Sequence, residues 1–245
     1  MNKLFKSTHL PWFTLIAGIL GGALRAWLYA TGVDSKGLLL SGHPGHFLVW
    51  GLTGIVLLLL LLGTKDLLQA PKYGFNFPAR TVSAIGAALA AVGILIASIT
   101  QIGTPGDNFA TADIILGFFS AAALGFLSYC RLKGKHPTVI FHALICVYLM
   151  LHLICQYRLW SADPQIQNYA FSLLSSVCIM LSNFYSATFD ANEGQRRPHA
   201  FFHLASVYFC IVSIPYCEDP LFYLSMALWM FTDICNLTPM PKDKR

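Results

Sequence analysis

His199 and His203 stand four residues apart in RRPHAFFHLA (196–205), at the start of a strongly apolar run. On a helix, positions i and i+4 share one face a turn apart, so two imidazoles at this spacing can ligate one metal ion. His142 and Asp233 are expected at the same depth from two other helices. Three imidazoles and a carboxylate make a tetrahedral site for zinc or another transition metal, and an open position would make it catalytic. The pair lacks the glutamate of H-E-x-x-H, so the usual metalloprotease base is missing. The reading without a metal puts both histidines at the lipid headgroup level, bonded to water, lipid phosphate or Asp190.

HAFFH also resembles the late HxxxH pair of membrane hydrolases of the alkaline ceramidase and progestin-receptor type. The early Ser-x-x-x-His pattern that accompanies it in those proteins is absent from an appropriate helix here, and the resemblance is carried no further.

A second group of ionisable residues is expected near the opposite face of the membrane. SGHPGH (41–46) puts His43 and His46 around Pro44-Gly45, a turn or a broken helix start. Arg25, Asp113 and His152 lie at a similar depth, and Arg25 and Asp113 are close enough in level to pair. Such a group can line a substrate or ion path, shuttle protons or ligate haem. Its plain alternative is a solvated loop beside a structural Arg–Asp pair. The cofactors implied are therefore a transition metal such as zinc, or haem.

The elements that must position these residues are membrane helices. The 245-residue chain is 56% hydrophobic and 11% charged, with a mean hydropathy of +0.61, whereas soluble domains carry about 25% charged residues. Apolar runs long enough to cross a hydrocarbon core of roughly 30 Å recur throughout. The fold expected is an all-α transmembrane bundle forming a single membrane domain. Its eight spans fall near 11–32, 38–63, 80–102, 110–130, 137–157, 167–188, 198–217 and 220–237.

With the N-terminus inside, 13 Lys and Arg fall on the cytoplasmic side: Lys3, Lys6, Lys65, Lys72, Arg80, Arg131, Lys133, Lys135, Arg196, Arg197, Lys242, Lys244 and Arg245. Only Lys36 and Arg158 fall outside, which predicts both termini in the cytoplasm, at a bacterial plasma membrane. Arg25 within the first segment argues for an uncleaved helix rather than a signal peptide. The net charge of +5 thus reflects topology, and no basic patch for nucleic acid is visible. Seven cysteines form no C-x-x-C pair and are read as free thiols, although Cys155 and Cys217 both fall near the outer ends of their helices, where a disulfide could form. Tyr73, Phe75 and Phe77 beside Lys72 and Arg80 read as anchors at the membrane interface.

Helical periodicity then assigns inward faces. The seventh segment carries His199, His203, Ser206, Cys210, Ser213 and Cys217 on one stripe, and the sixth carries Asn168, Ser172, Ser175, Ser182 and Ser186. The fourth and eighth carry Asp113, Gly117, Ser120 and Ser128, and Ser225, Trp229, Asp233 and Asn236. The first has Thr14, Gly18, Gly21 and Arg25. The third shows Gly86, Ala90, Gly93 and Ala97, the mark of close helix packing. Polar stripes on five helices make translocation of a small solute or ion the leading expectation. The others are an intramembrane metal-dependent enzyme or metal- or haem-binding protein, and a non-catalytic component that docks partner proteins.

Overall fold

The structure is a computed structural model, and it describes residues 9–34, 39–40, 42–102, 108–161 and 165–237. Lys3, Lys6, Lys36, Lys242, Lys244 and Arg245, counted above for topology, lie outside these residues. The described chain is helical, with one isolated bridge between Val33 and Leu39. Its elements are α1 (Leu10–Thr31), α2 (Pro44–Lys65), the single turn α3 (Tyr73–Asn76), α4 (Thr81–Thr100), α5 (Asn108–Lys133), α6 (Val139–Trp160), α7 (Ala170–Asp190), α8 (Arg196–Ser213) and α9 (Pro220–Asn236). Short 3-10 turns precede α7 and follow α8.

Among the described residues, seven helices are long and apolar enough to cross a membrane. The last, α9, has 17 residues, about 26 Å at the α-helical rise. The second helix starts at Pro44 rather than at 38, for a local reason. Proline is pre-organised for the first helical position, and the Nδ1 of His43 caps the helix by accepting the Gly45 N–H at 3.2 Å.

Helices α4 to α9 pack each on the next, and α9 returns to α4. The space between them is filled in mid-membrane by Ile94, Leu124, Ile145, Leu149, Ile179, Val207, Met226 and Met230, each 0–1% exposed. Helices α1 and α2 lie against α8, which makes α8 the most enclosed helix of the bundle. The small-residue face of the third segment, now α4, lets α9 approach closely. A Cβ on Gly86 would collide with Thr232 Oγ1, and one on Gly93 with Ser225 Oγ. The seven cysteines are free thiols.

The ends of α2, α5, α7 and α9 and the starts of α4, α6 and α8 gather at one end of the bundle, the basic end. The segment 66–80 folds over this end instead of lying at the membrane surface. Tyr73 and Phe77 are each 4% exposed and pack with Phe189, so the expectation that they are interface anchors is corrected; only Phe75 of the three is exposed. A tight turn after α7 makes room for them. Asn192 adopts φ 60°, its side chain accepts the Tyr73 N–H at 3.3 Å, and Gly194 lies where any Cβ would overlap the Phe189 ring.

Candidate metal centre

The helical phase of α8 does what its spacing implies. His199 and His203 face the same way, are 0% and 1% exposed, and lie with ring centroids 3.9 Å apart and planes tilted by 44°. They lie inside the protein rather than facing lipid. Asp233, one turn from the end of α9, completes the group: one ligand atom from each of His199, His203 and Asp233 lies within 4.8 Å of the others.

Hydrogen bonding fixes the chemistry of His203. Its Nδ1 is 2.9 Å from the His199 carbonyl oxygen, which only accepts, so Nδ1 carries the proton. In the neutral ring Nε2 then presents a lone pair, and it faces Asp233 Oδ2 at 3.5 Å. A lone pair against a carboxylate repels unless a cation stands between them. That cation is a proton or a metal ion. Two ligand atoms on a tetrahedral ion with bonds of about 2.1 Å would be about 3.4 Å apart, close to the separation found.

His199 separates the two choices. Among the described residues neither ring nitrogen has a hydrogen-bond partner, and the ring lies T-shaped to Phe77 and Phe189, with centroids 5.5 and 5.0 Å away. Leaving a buried polar group unsatisfied costs about 1–3 kcal/mol. A proton on His203 would leave both nitrogens of His199 unpartnered, whereas a metal bound by all three residues would satisfy one of them.

Asp233 is held by groups the sequence did not single out. Ser83 Oγ of α4 donates to Oδ1 at 3.0 Å, and Arg131 Nη2 of α5 lies 3.0 Å from Oδ1 and 3.2 Å from Oδ2. Arg131, expected in a cytoplasmic loop, is 7% exposed within α5. It also donates to the Tyr73 hydroxyl at 3.1 Å and lies 3.9 Å over the Phe77 ring. Burial pushes the Tyr73 hydroxyl up to about 12, so it accepts from Arg131 as a neutral phenol. Carboxylates that ligate metals are commonly oriented by such outer partners. Arg131 also offsets the charge of Asp233, which by itself disfavours a second cation.

His142, the fourth residue expected here, is 3% exposed and belongs to an adjoining pair. Its Nδ1 meets Asn183 Oδ1, an acceptor, so Nε2 is again unprotonated in the neutral ring, and it faces Asp190 Oδ2 at 3.4 Å. The arrangement repeats that of His203 and Asp233. Asp190 is a second acidic residue near Arg131.

The opposite end is arranged otherwise. Arg25 does not pair with Asp113. It donates to three carbonyl oxygens at the ends of helices, Val212 (2.8 Å), Asn168 (2.6 Å) and Tyr216 (3.4 Å), and so satisfies backbone that lipid cannot. Asp113 instead faces His152 Nδ1 at 3.0 Å. His43 is occupied in capping α2, and His46 lies beside Arg25 at a small cleft. The five residues expected as one outer group therefore divide into three local arrangements.

Comparison with protein-family models, with curated proteins and with solved structures returns no match for this chain.

Proposed function

We propose that this multi-pass membrane protein holds a transition-metal ion at the basic end of its bundle, ligated by His199, His203 and Asp233. The observation that carries the reading is the His203 Nε2 lone pair aimed at a carboxylate oxygen 3.5 Å away, beside a buried imidazole with both nitrogens unpartnered. Two imidazoles and one carboxylate suit zinc or ferrous iron and leave coordination positions open. The His142–Asp190 pair stands next to them as a proton donor or acceptor. An intramembrane metal-dependent enzyme is the activity this arrangement fits best.

The test is the metal content of detergent-purified protein by mass spectrometry, prepared without chelator or immobilised-metal resin. Near-stoichiometric zinc, iron or copper that disappears in the His199→Ala/His203→Ala variant, with that variant still monodisperse, is the expected result. Metal-free wild-type protein would overturn the reading and leave a proton between His203 and Asp233.

Translocation of a solute or ion is the second reading. It is favoured by the polar faces of α7 and α8, which meet at Ser182 and Ser206 (2.9 Å), and by ionisable pairs at both ends of the bundle. The apolar filling between those ends weighs against it. Eight crossings with both termini in the cytoplasm are proposed for either reading, on the asymmetry of Lys and Arg.

A further inference from the structure

A cavity of about 300 Å³ opens beside the metal cluster, on the neighbouring face of α8. The start of α1, the last turn of α2 and the facing turns of α8 and α9 form its walls. Ala200 and Leu204, which line it, follow His199 and His203 directly in sequence, and Ile234 and Cys235 follow Asp233. It therefore has its own lining and takes nothing from the three metal ligands.

That lining combines two kinds of surface. Arg80 and Arg196 contribute two guanidinium groups, and no carboxylate is among the lining residues. Leu10, Leu67, Leu204 and Ile234 supply most of the rest, and exposed Trp12 stands at the rim with its ring edge-on to Phe231 at 5.3 Å. Arg196 is 2% exposed, so its charge is built into the wall. Arg80 spends one of its five donors on the Cys235 carbonyl oxygen, at 3.3 Å. Arg196 is also the first residue of α8, where the helix dipole favours an anion.

Depth selects the ligand. The cavity lies where α2 ends at Lys65 and α8 begins, at the border between apolar and basic surface. Arginines at that level suit a phosphate, and the leucines suit hydrocarbon. A free phosphate would leave the apolar wall uncovered, and a zwitterionic headgroup would bring a cation towards two guanidinium groups. We infer that this cavity binds an anionic phospholipid, its phosphodiester between Arg80 and Arg196 and the start of an acyl chain against Leu204 and Ile234.

The experiment uses the full-length protein in mild detergent, delipidated and then mixed with phosphatidylglycerol, phosphatidylcholine or inorganic phosphate. Bound lipid is read by native mass spectrometry and stability by thermal melting. Phosphatidylglycerol is expected to remain bound and raise the Tm, while phosphatidylcholine and phosphate do neither. Arg80→Gln changes an exposed side chain, and Ala200→Leu fills the cavity without altering charge. Each is expected to weaken phosphatidylglycerol retention by about tenfold or more, the scale of one charge-assisted contact. Equal retention of phosphatidylcholine, equal stabilisation by inorganic phosphate, or unchanged retention in a folded Arg80→Gln protein would each overturn the assignment.

Discussion

Asn183 holds His142 at two points. Its Nδ2 donates to the His142 carbonyl oxygen at 2.8 Å, while its Oδ1 accepts the imidazole Nδ1–H. This bracket between α6 and α7 points the free nitrogen of His142 at Asp190, and it acts 41 residues along the chain from the histidine.

Asn183→Leu keeps the volume and removes both bonds. The buried Nδ1–H of His142 is left unsatisfied, so a loss of about 1–3 kcal/mol is expected. Thermal or denaturant unfolding in detergent checks it. Unchanged stability would mean that the bracket does not fix the ring.

Breaking the Arg131–Asp233 pair from one side leaves a buried charge. Asp233→Leu alone is expected to cost about 3–5 kcal/mol, while Arg131→Met with Asp233→Leu recovers a large part of it. A double-mutant cycle on unfolding free energy reads the coupling directly. Additive losses would show that the two residues are not energetically linked.

Metal retention should fall with acidity. The ligand imidazoles bind metal only when neutral, and each proton taken up competes with the ion. Affinity therefore declines as the pH falls. Dialysis against a fixed concentration of competing chelator at pH 8, 7, 6 and 5, followed by metal analysis, tests the direction. Retention that rises on acidification would contradict coordination by histidine.

Close packing of α4 on α9 predicts an asymmetry among glycines. Gly86→Ala and Gly93→Ala push a methyl group into Thr232 and Ser225, and a cost of about 1–3 kcal/mol each is expected from overpacking. At Gly51 and Gly125 a Cβ meets nothing within 4 Å, and alanine there should be tolerated. Comparing the four Tm values is sufficient. Equal effects at all four positions would remove the packing argument.

The period of the sequence predicted which faces turn inward, because lipid excludes polar groups and a helix repeats on a fixed angle. His199, His203 and Asp233 were legible for that reason, as was the small-residue face of α4. Arg131 was not. Counting charge by loop assigns a lysine or arginine near a helix end to water, and nothing local to Arg131 marks a partner 102 residues away. Tyr73 and Phe77 were missed in the same manner, since aromatic residues beside Lys72 read as interface anchors until the Arg131 guanidinium beneath them is known. For Arg25 the error was to seek a carboxylate. Three carbonyl oxygens do the same work, and a sequence does not display which carbonyls a helix end leaves open.

The cover formed by segment 66–80 has a consequence for biogenesis. A ribosome delivers Tyr73 and Phe77 well before α8, yet in the finished protein Phe77 packs against His199 of α8 and both rings meet Arg131 of α5. The early segment must wait at the membrane surface, or lift again, until α8 has inserted. A metal ion held by the histidine cluster, as proposed, would be loaded during assembly or through reopening of that segment, and its exchange in the mature protein would be governed by how often Tyr73 and Phe77 leave their places.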